Sequence, residues 1–253
     1  MKIRFLHLNI QAGRFINRVA EFIKENDIDV ANFQEVEGKN LSEFDVDCFE
    51  YLKKSLPDHN GEMNINWNLT SGKNAYSSNA TFFKKSFTLL EKDIKWLKEY
   101  REIENAKTRG YENDPTSCMK LTLSKDNKKF EILNTHLAWS NNANDDPNKL
   151  AQGKKLISYI EKVNGPFILS GDFNVDKNSQ TVKSLNKLAR NLPIENGVVN
   201  TLNLKVHWAK DRIPSPGLGV DFIYVANSLK VNSFRVINED LSDHLGLFTE
   251  III

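Results

Sequence analysis

The chain has 253 residues, with Lys+Arg 34 against Asp+Glu 33, a net charge of +1 and a pI of about 7.7. Hydrophobic residues make up 40 % and charged residues 26 %, the balance of an ordinary globular chain with enough apolar mass for a sizeable core. These figures argue against a protein that grips nucleic acid by bulk charge, and the two cysteines, Cys48 and Cys118, are too few for a disulfide framework or a thiolate zinc site.

No internal repeat, linker or low-complexity tract is visible, so a single domain over residues 1–253 is the expected organisation. The N-terminal run MKIRFLHLNIQAGRF lacks the apolar centre and small-residue cleavage site of a secretion signal, and no stretch approaches the roughly 18 apolar residues of a membrane span. A cytoplasmic monomer with no membrane contact and two buried free thiols is the expectation.

In chain order, Ile3–Ile10 reads as a largely buried strand and Phe15, Ile16, Val19, Ala20, Phe22 and Ile23 repeat at helical spacing up to about Glu25. Ile28–Phe33 is the next strand, which makes a strand–helix–strand crossover unit with helices outside a sheet. Residues 38–75 are Asn-rich and predict only a short helix near Phe44–Leu56. Ala80–Phe83 and Phe87–Leu90 predict strands, while Glu91–Thr116 has no clear period. Met119–Leu123 and Phe130–Thr135 alternate on either side of Asp126-Asn127, a hairpin signal. Pro147 opens a helix, Pro166–Ser170 is a buried strand, Ser179–Leu192 is helical, and Val220–Val225, Val231–Ile237 and Leu245–Ile253 are final strands.

The chemistry-bearing residues sit at strand ends, where loops on a rigid sheet edge build sites. Asn9 follows the first strand and Gln34-Glu35 the second; Asn134-Thr135-His136 follows the hairpin and Gly171-Asp172-Phe173-Asn174 the strand after it. Asp221 begins VDFIYV, and Ser242-Asp243-His244 precedes the last strand. Each reads blandly alone: Asn9 and Gly-Asp-Phe-Asn as turn residues, Glu35 as a solvated acid, Asp243 as a helix cap. Asp221 lies inside an apolar run, where a buried carboxylate needs a partner, and a histidine is the natural one. Carboxylates and amides without thiols suit a hard cation such as Mg2+ or Mn2+, and two histidines beside them suit water attack on phosphorus.

The order of these clusters across residues 3–250 resembles the endonuclease/exonuclease/phosphatase superfamily. That resemblance implies a four-layered α/β sandwich, two mixed β-sheets packed face to face with helices outside. It implies that Glu35, Asn9 and Asp243 hold the divalent metal, and that Asp172 and Asn174 orient the attacking water and the scissile phosphate. His244, held by Asp221, stabilises the pentacovalent phosphorane or moves a proton, and His136 contacts a phosphate oxygen or helps the leaving group. Asp172 and His244 both remain candidates for the base. The sequence departs from the pattern at Gly219-Val220-Asp221-Phe222, where an Arg-Ile and a Tyr are usual, and at Ser78–Phe82, where Asn79 reads as a turn residue or a phosphate contact.

The implied activity is divalent-metal-dependent phosphodiester hydrolysis on nucleic acid, as a nuclease or DNA-end-processing enzyme. The alternatives are a phosphomonoesterase, a small-molecule or lipid-headgroup phosphodiesterase, and an inactive binding module. Lysine pairs are scattered through the chain, and Trp139 and Trp208, the latter near Lys210 and Arg212, are candidates for base stacking. Residues 95–118 and 139–148 are the loops expected to set specificity, with Arg109 and Lys120 as candidate phosphate contacts.

Overall fold

A computed structural model describes residues 1–70, 72–106 and 110–253. The first half of the chain carries β1 (Lys2–Asn9), α1 (Ile16–Glu25), β2 (Val30–Glu37), α2 (Cys48–Ser55), β3 (His59–Leu69), β4 (Tyr76–Lys84), β5 (Thr88–Lys98), β6 (Arg101–Ile103) and β7 (Thr116–Lys125). The second half carries β8 (Lys128–His136), α3 (Pro147–Ile160), β9 (Phe167–Asp172), α4 (Gln180–Leu185), β10 (Arg190–Asn191), α5 (Leu192–Glu195), β11 (Asp221–Val225), β12 (Lys230–Ile237) and β13 (Gly246–Ile252).

The strands form two mixed sheets, one of seven strands in the order β12-β13-β1-β2-β4-β3-β6 and one of six in the order β10-β11-β9-β8-β7-β5. The two-residue period of β1 explains how they stack. Leu6 and Leu8 face outward and join Val19, Phe22 and Ile23 of α1 and Phe49 and Leu52 of α2 in one apolar layer. Ile3 and Phe5 face the other way and join Met119, Leu121 and Leu133 of the six-stranded sheet. That second cluster continues to Leu156, Ile160, Val182 and Leu185 of α3 and α4. The result is a four-layered α/β sandwich with helices outside, as the motif order implied. Burial of each large apolar side chain contributes roughly 1.5–3 kcal/mol, and a helix such as α1 is held by that face more than by its own hydrogen bonds.

Between the sheets, the apolar packing gives way near the strand ends to a polar seam. Asn32 donates to the Leu133 carbonyl at 2.9 Å and to Ser170 Oγ at 3.0 Å, Thr81 Oγ1 donates to Asn32 Oδ1 at 2.7 Å, and Gln34 Nε2 donates to Asn134 Oδ1 at 2.7 Å. The bonds from Asn32 and Gln34 tie one sheet to the other, and Thr81 holds Asn32 in place from its own sheet, so the two halves of the site are fixed in register.

Three segments differ from the sequence expectation. Residues 38–75 contain β3, whose Asn-rich, half-exposed stretch lies towards a sheet edge and shows no alternation. Glu91–Thr116 begins in the edge strand β5 and continues through β6, strands exposed enough to carry charge on both faces. The helix expected over Ser179–Leu192 breaks after Leu185: Arg190-Asn191 pair with β11, and Asn191 caps a new turn with Pro193 near its start. Cys48 and Cys118 are buried free thiols, and burial pushes the Cys48 thiol up to about 12. No helix among the described residues is long and apolar enough to cross a membrane.

Candidate active site

The register of the six-stranded sheet lines up three of the expected residues. His136 at the end of β8 pairs with Asp172 at the end of β9, and Asp172 pairs with Asp221 at the start of β11. Gly171 is what permits this close approach: a Cβ there would meet the Thr135 carbonyl oxygen at 2.3 Å.

The seven-stranded sheet supplies the facing wall. The period of β1 that turns Ile3 and Phe5 inward also turns His7 and Asn9 inward. Asn9 Nδ2 donates to Glu35 Oε1 at 2.9 Å and to Asp172 Oδ2 at 3.1 Å, which bridges the two sheets, while its Oδ1 accepts from the Gln11 N–H at 3.1 Å. Glu35 reaches Asn9 because β2 bulges. The pairing with β4 shifts between Phe33 and Val36, and Glu35 takes a left-handed φ of 54°. Regular alternation after Gln34 would aim its side chain at the helices instead.

Asn174 also has a left-handed φ, 51°, which brings its backbone N–H to Asp172 Oδ1 at 2.9 Å. Its Nδ2 donates to the Leu137 carbonyl at 2.9 Å and lies 3.1 Å from His136 Nε2. The carbonyl contact fixes the amide's orientation and aims Nδ2 at the His136 ring. His136 Nε2 is 3.5 Å from Asp172 Oδ2. Lys149, 1 % exposed, donates to the carbonyls of Asn142, Asn144 and Asn174 and pins this loop from below.

The deepest charge is Asp221, fully buried. Its Oδ2 accepts from Thr201 Oγ1 at 2.7 Å and lies 2.8 Å from His244 Nδ1; its Oδ1 lies 2.9 Å from His7 Nε2. Burial pushes the Asp221 carboxyl up, but the charge and hydrogen bonds of His244, with the bond from His7, outweigh it and hold the carboxyl well below the ordinary range. Burial likewise pulls His244 down, and Asp221, Asp172 and Asp243 outweigh it and raise the imidazole well above its usual value. Asp221 thus favours the imidazolium form of His244. With Nδ1 held by Asp221, Nε2 points at Asp172 Oδ2, 3.8 Å away.

Asp243 is buried beside it, 3.9 Å from His207 Nε2, with its backbone carbonyl accepting from the Asn203 N–H at 2.7 Å. Two triplets place potential ligand atoms within 4.8 Å of one another, Asp172/Asp221/His244 and His207/Asp243/His244. Glu35 belongs to neither and joins the site through Asn9. Burial pushes the Glu35 carboxyl above its ordinary range; His136 opposes this and the charge of Asp243 adds to it. Among the described residues no lysine or arginine pairs with Glu35, Asp172 or Asp243. Their ion-pair partners are histidines alone. Crowded oxygens, uncompensated negative charge and no thiolate fit a hard divalent cation, with Glu35 and Asp243 as the residues to hold it. Asn9 bridges Glu35 and Asp172 through Nδ2, and its Oδ1, which accepts one N–H, is its ligand-type atom.

The structure thus brings together Asn9, Glu35, His136, Asp172, Asn174, Asp221, Asp243 and His244. Asn79 lies in β4 rather than in a turn, opposite the Glu35 bulge, 1 % exposed and with both side-chain polar atoms unpartnered. Trp139 flanks the site in the segment after His136. Lys120 is not in the cluster: it pairs in register with Leu133, three residues before His136, and its Nζ lies 3.9 Å from Glu91. Arg109 lies outside the described residues. Gln34 and Asn134, taken with the site clusters, belong to the seam instead. The sequence reading missed His7, Thr201 and His207. His7 interrupts the apolar run Phe5-Leu6-His7-Leu8, a buried polar residue that demands a partner, and this was the one signal that could have found it.

A two-sheet α/β sandwich with a carboxylate–imidazole site where the strand ends meet defines a phosphoester-hydrolase architecture. The chain belongs to the endonuclease/exonuclease/phosphatase family, whose model matches residues 6–244. Members hydrolyse phosphoesters with a divalent metal. No curated protein matches the sequence significantly. Among solved structures, the fold is similar to an endonuclease/exonuclease/phosphatase from Bacteroides vulgatus, at 21 % identity and TM-score 0.72, covering 100 % of this chain and 99 % of that one. It is similar to a mannosyl-6-phosphatase from Bacteroides thetaiotaomicron, at 17 % identity and TM-score 0.73, covering 99 % and 100 %. It is also similar to D. rerio TDP2 complexed with a single-strand DNA product, at 14 % identity and TM-score 0.73, covering 100 % and 99 %.

Proposed function

We propose that the chain hydrolyses a phosphodiester of nucleic acid by in-line attack of water, with Mg2+ or Mn2+ as the cation. The observation that carries the reading is the convergence of His244, held by Asp221, on Asp172 beside carboxylates that, among the described residues, have no lysine or arginine partner. When bound, the cation supplies charge neutralisation at the phosphate. The protein's own groups divide the remaining work. With Asp221 favouring the imidazolium form of His244, the base we assign is Asp172, whose Oδ2 would orient the water and accept its proton. His244 Nε2–H faces the phosphate oxygens, where negative charge builds in the transition state, and Asp221 keeps it charged and aimed. Asn174 fixes His136 for a second phosphate oxygen. Asn79 offers an unpaired amide across from Glu35, and Trp139 lines the approach.

The test is a panel of supercoiled DNA, single-stranded DNA and RNA, abasic duplex, 5′-tyrosyl DNA, inositol phosphates, sphingomyelin and mannose 6-phosphate. Each is assayed with Mg2+, with Mn2+ and with EDTA. Cleavage of a nucleic acid that EDTA abolishes and Mg2+ or Mn2+ restores supports the reading. Turnover confined to the monoester, or to the inositol or lipid substrates, contradicts it.

A further inference from the structure

From the catalytic histidine outward, aromatic rings follow one another without a gap. The His207 ring centroid lies 6.2 Å from that of His244. Trp208 stacks on His207 at 5.9 Å with planes 24° apart, Trp139 lies 6.3 Å from Trp208 with planes tilted by 50°, and Tyr111 meets Trp139 edge-on at 5.5 Å and 69°. None of these rings belongs to either apolar core. Large aromatic side chains usually bury themselves, yet Trp208 is 60 % exposed and Tyr111 is 52 % exposed. Their rings are therefore not explained by the packing of the fold.

The segment that carries two of them is locked to the reaction centre. Asn203 accepts from the N–H groups of Val206 and His207, donates its own N–H to the Asp243 carbonyl and its Nδ2 to the Ser242 carbonyl at 3.0 Å. The Ala209 N–H donates to His207 Nδ1 at 3.0 Å, which fixes the imidazole ahead of Trp208. Arg212 lies over the Trp208 ring, 4.7 Å from its centroid, and puts a cation within reach of a phosphate beside a stacked ring.

We infer that this file is a stacking platform for an unpaired nucleotide strand whose scissile phosphate occupies the His136–Asp172–His244 site. The inference rests on the phosphodiesterase reading and names the form of its substrate. Exposed rings with an arginine beside one of them match nucleobases and phosphate together, and every base has a face to offer. A base gives its face to a protein ring only when it is unstacked from its neighbours, which a single strand permits and a duplex does not. A sugar monophosphate would span only the phosphate site and its nearest ring.

The test is binding in EDTA, where nothing turns over. A short oligothymidylate and an abasic oligonucleotide of equal length and charge are titrated against the whole protein, followed by tryptophan fluorescence and by anisotropy of a labelled strand. The platform requires wild type to bind the base-bearing strand at least about 10-fold more tightly than the abasic one, with quenched tryptophan emission. In W139A/W208A the two ligands should come within about twofold, and W208F should keep most of the gap. Unchanged abasic-strand affinity and an unchanged melting curve show that each variant is folded. Equal wild-type affinity for both strands overturns the platform, as does a gap that survives in folded W139A/W208A. Displacement and equal quenching by mannose 6-phosphate at comparable concentration would make the file a sugar site instead. A wild-type gap without nucleic-acid hydrolysis would leave the platform standing and bring down the phosphodiesterase reading alone.

Discussion

Replacing Asp221 with asparagine keeps the shape of the deepest residue in the site and removes its charge. Asp221 accepts from His244, Thr201 and His7. An asparagine oxygen can still serve His244 and Thr201, which leaves its NH2 against His7 Nε2. His7 can accept that donor by moving its own proton to Nδ1, which has no partner. The fold therefore tolerates the change: charge-assisted bonds become neutral ones, a loss of about 2 kcal/mol, or roughly 4–8 °C in Tm for a chain of this size. Catalysis does not tolerate it. His244 owes its raised pKa to Asp221 first among its partners, against a burial that pulls it down. Without the carboxylate the buried imidazole loses the largest support of its charged form, and kcat should fall by about 10²–10⁴. The assay is kcat against pH on a cleaved oligonucleotide at saturating metal. Wild-type activity falls on the alkaline side as pH rises through the raised His244 pKa; in D221N that limb moves to below about 6.5, the ordinary imidazole value. A D221N enzyme within about threefold of wild type, with its alkaline limb unmoved, would refute the assignment of His244.

D172N should lose at least about 100-fold in kcat with substrate binding retained, because the change removes proton acceptance rather than phosphate binding; single-turnover rates and Kd from anisotropy separate the two. H7A leaves one Asp221 oxygen unpaired in a fully buried site, a cost of about 1–3 kcal/mol. It should also lower kcat more than it raises KM, whereas H7Q, which can still donate, should recover part of the rate. G171A should destabilise the protein outright, since its Cβ would strike the Thr135 carbonyl at 2.3 Å and part β8 from β9; thermal melting tests this, and an unchanged Tm would show that the sheet can give way. The coupled pair also fixes how stability follows pH in metal-free protein. The share due to raised His244 is complete below the unfolded value of about 6.5 and is lost as pH climbs through the folded value, while the share due to depressed Asp221 is present above about 3.9 and lost as pH falls through its folded value. Urea midpoints across that range should therefore fall on both sides of a plateau in wild type, and the alkaline fall should be absent in D221N.

Much of the site was legible because its residues stand at strand ends, where a polar letter after an apolar run is conspicuous. Asn9, Asp172, Asn174, Asp243 and His244 are of this kind, and the sheet register does the rest by setting His136, Asp172 and Asp221 in one row. What stayed hidden depends on geometry that letters do not carry. Nothing in Gln34-Glu35 reveals that a bulge with a left-handed φ turns Glu35 back towards Asn9. His7 sits among apolar neighbours and shows its purpose only when a residue 214 positions away arrives beside it. The stacked His207 and Trp208 belong to a segment whose form is set by hydrogen bonds to Asp243 and Ser242, so no local period announces it. The missed strand β3 and the undecided stretch of β5 lie towards sheet edges and alternate too little for a pattern to stand out. The helix read through Leu192 failed because its apolar spacing continues past the point where Arg190-Asn191 join β11.

The central claim is that separated carboxylates converge on one divalent cation beside a phosphoester, and calorimetric titration of the whole protein with Mn2+ tests it most directly. Wild type should show a saturable site, and E35Q, which keeps the shape of the side chain and the bond from Asn9 but loses the charge, should bind at least about 10-fold more weakly. If E35Q and wild type bind Mn2+ alike, or if neither binds, the carboxylates gathered at the strand ends do not form the metal centre and the account fails.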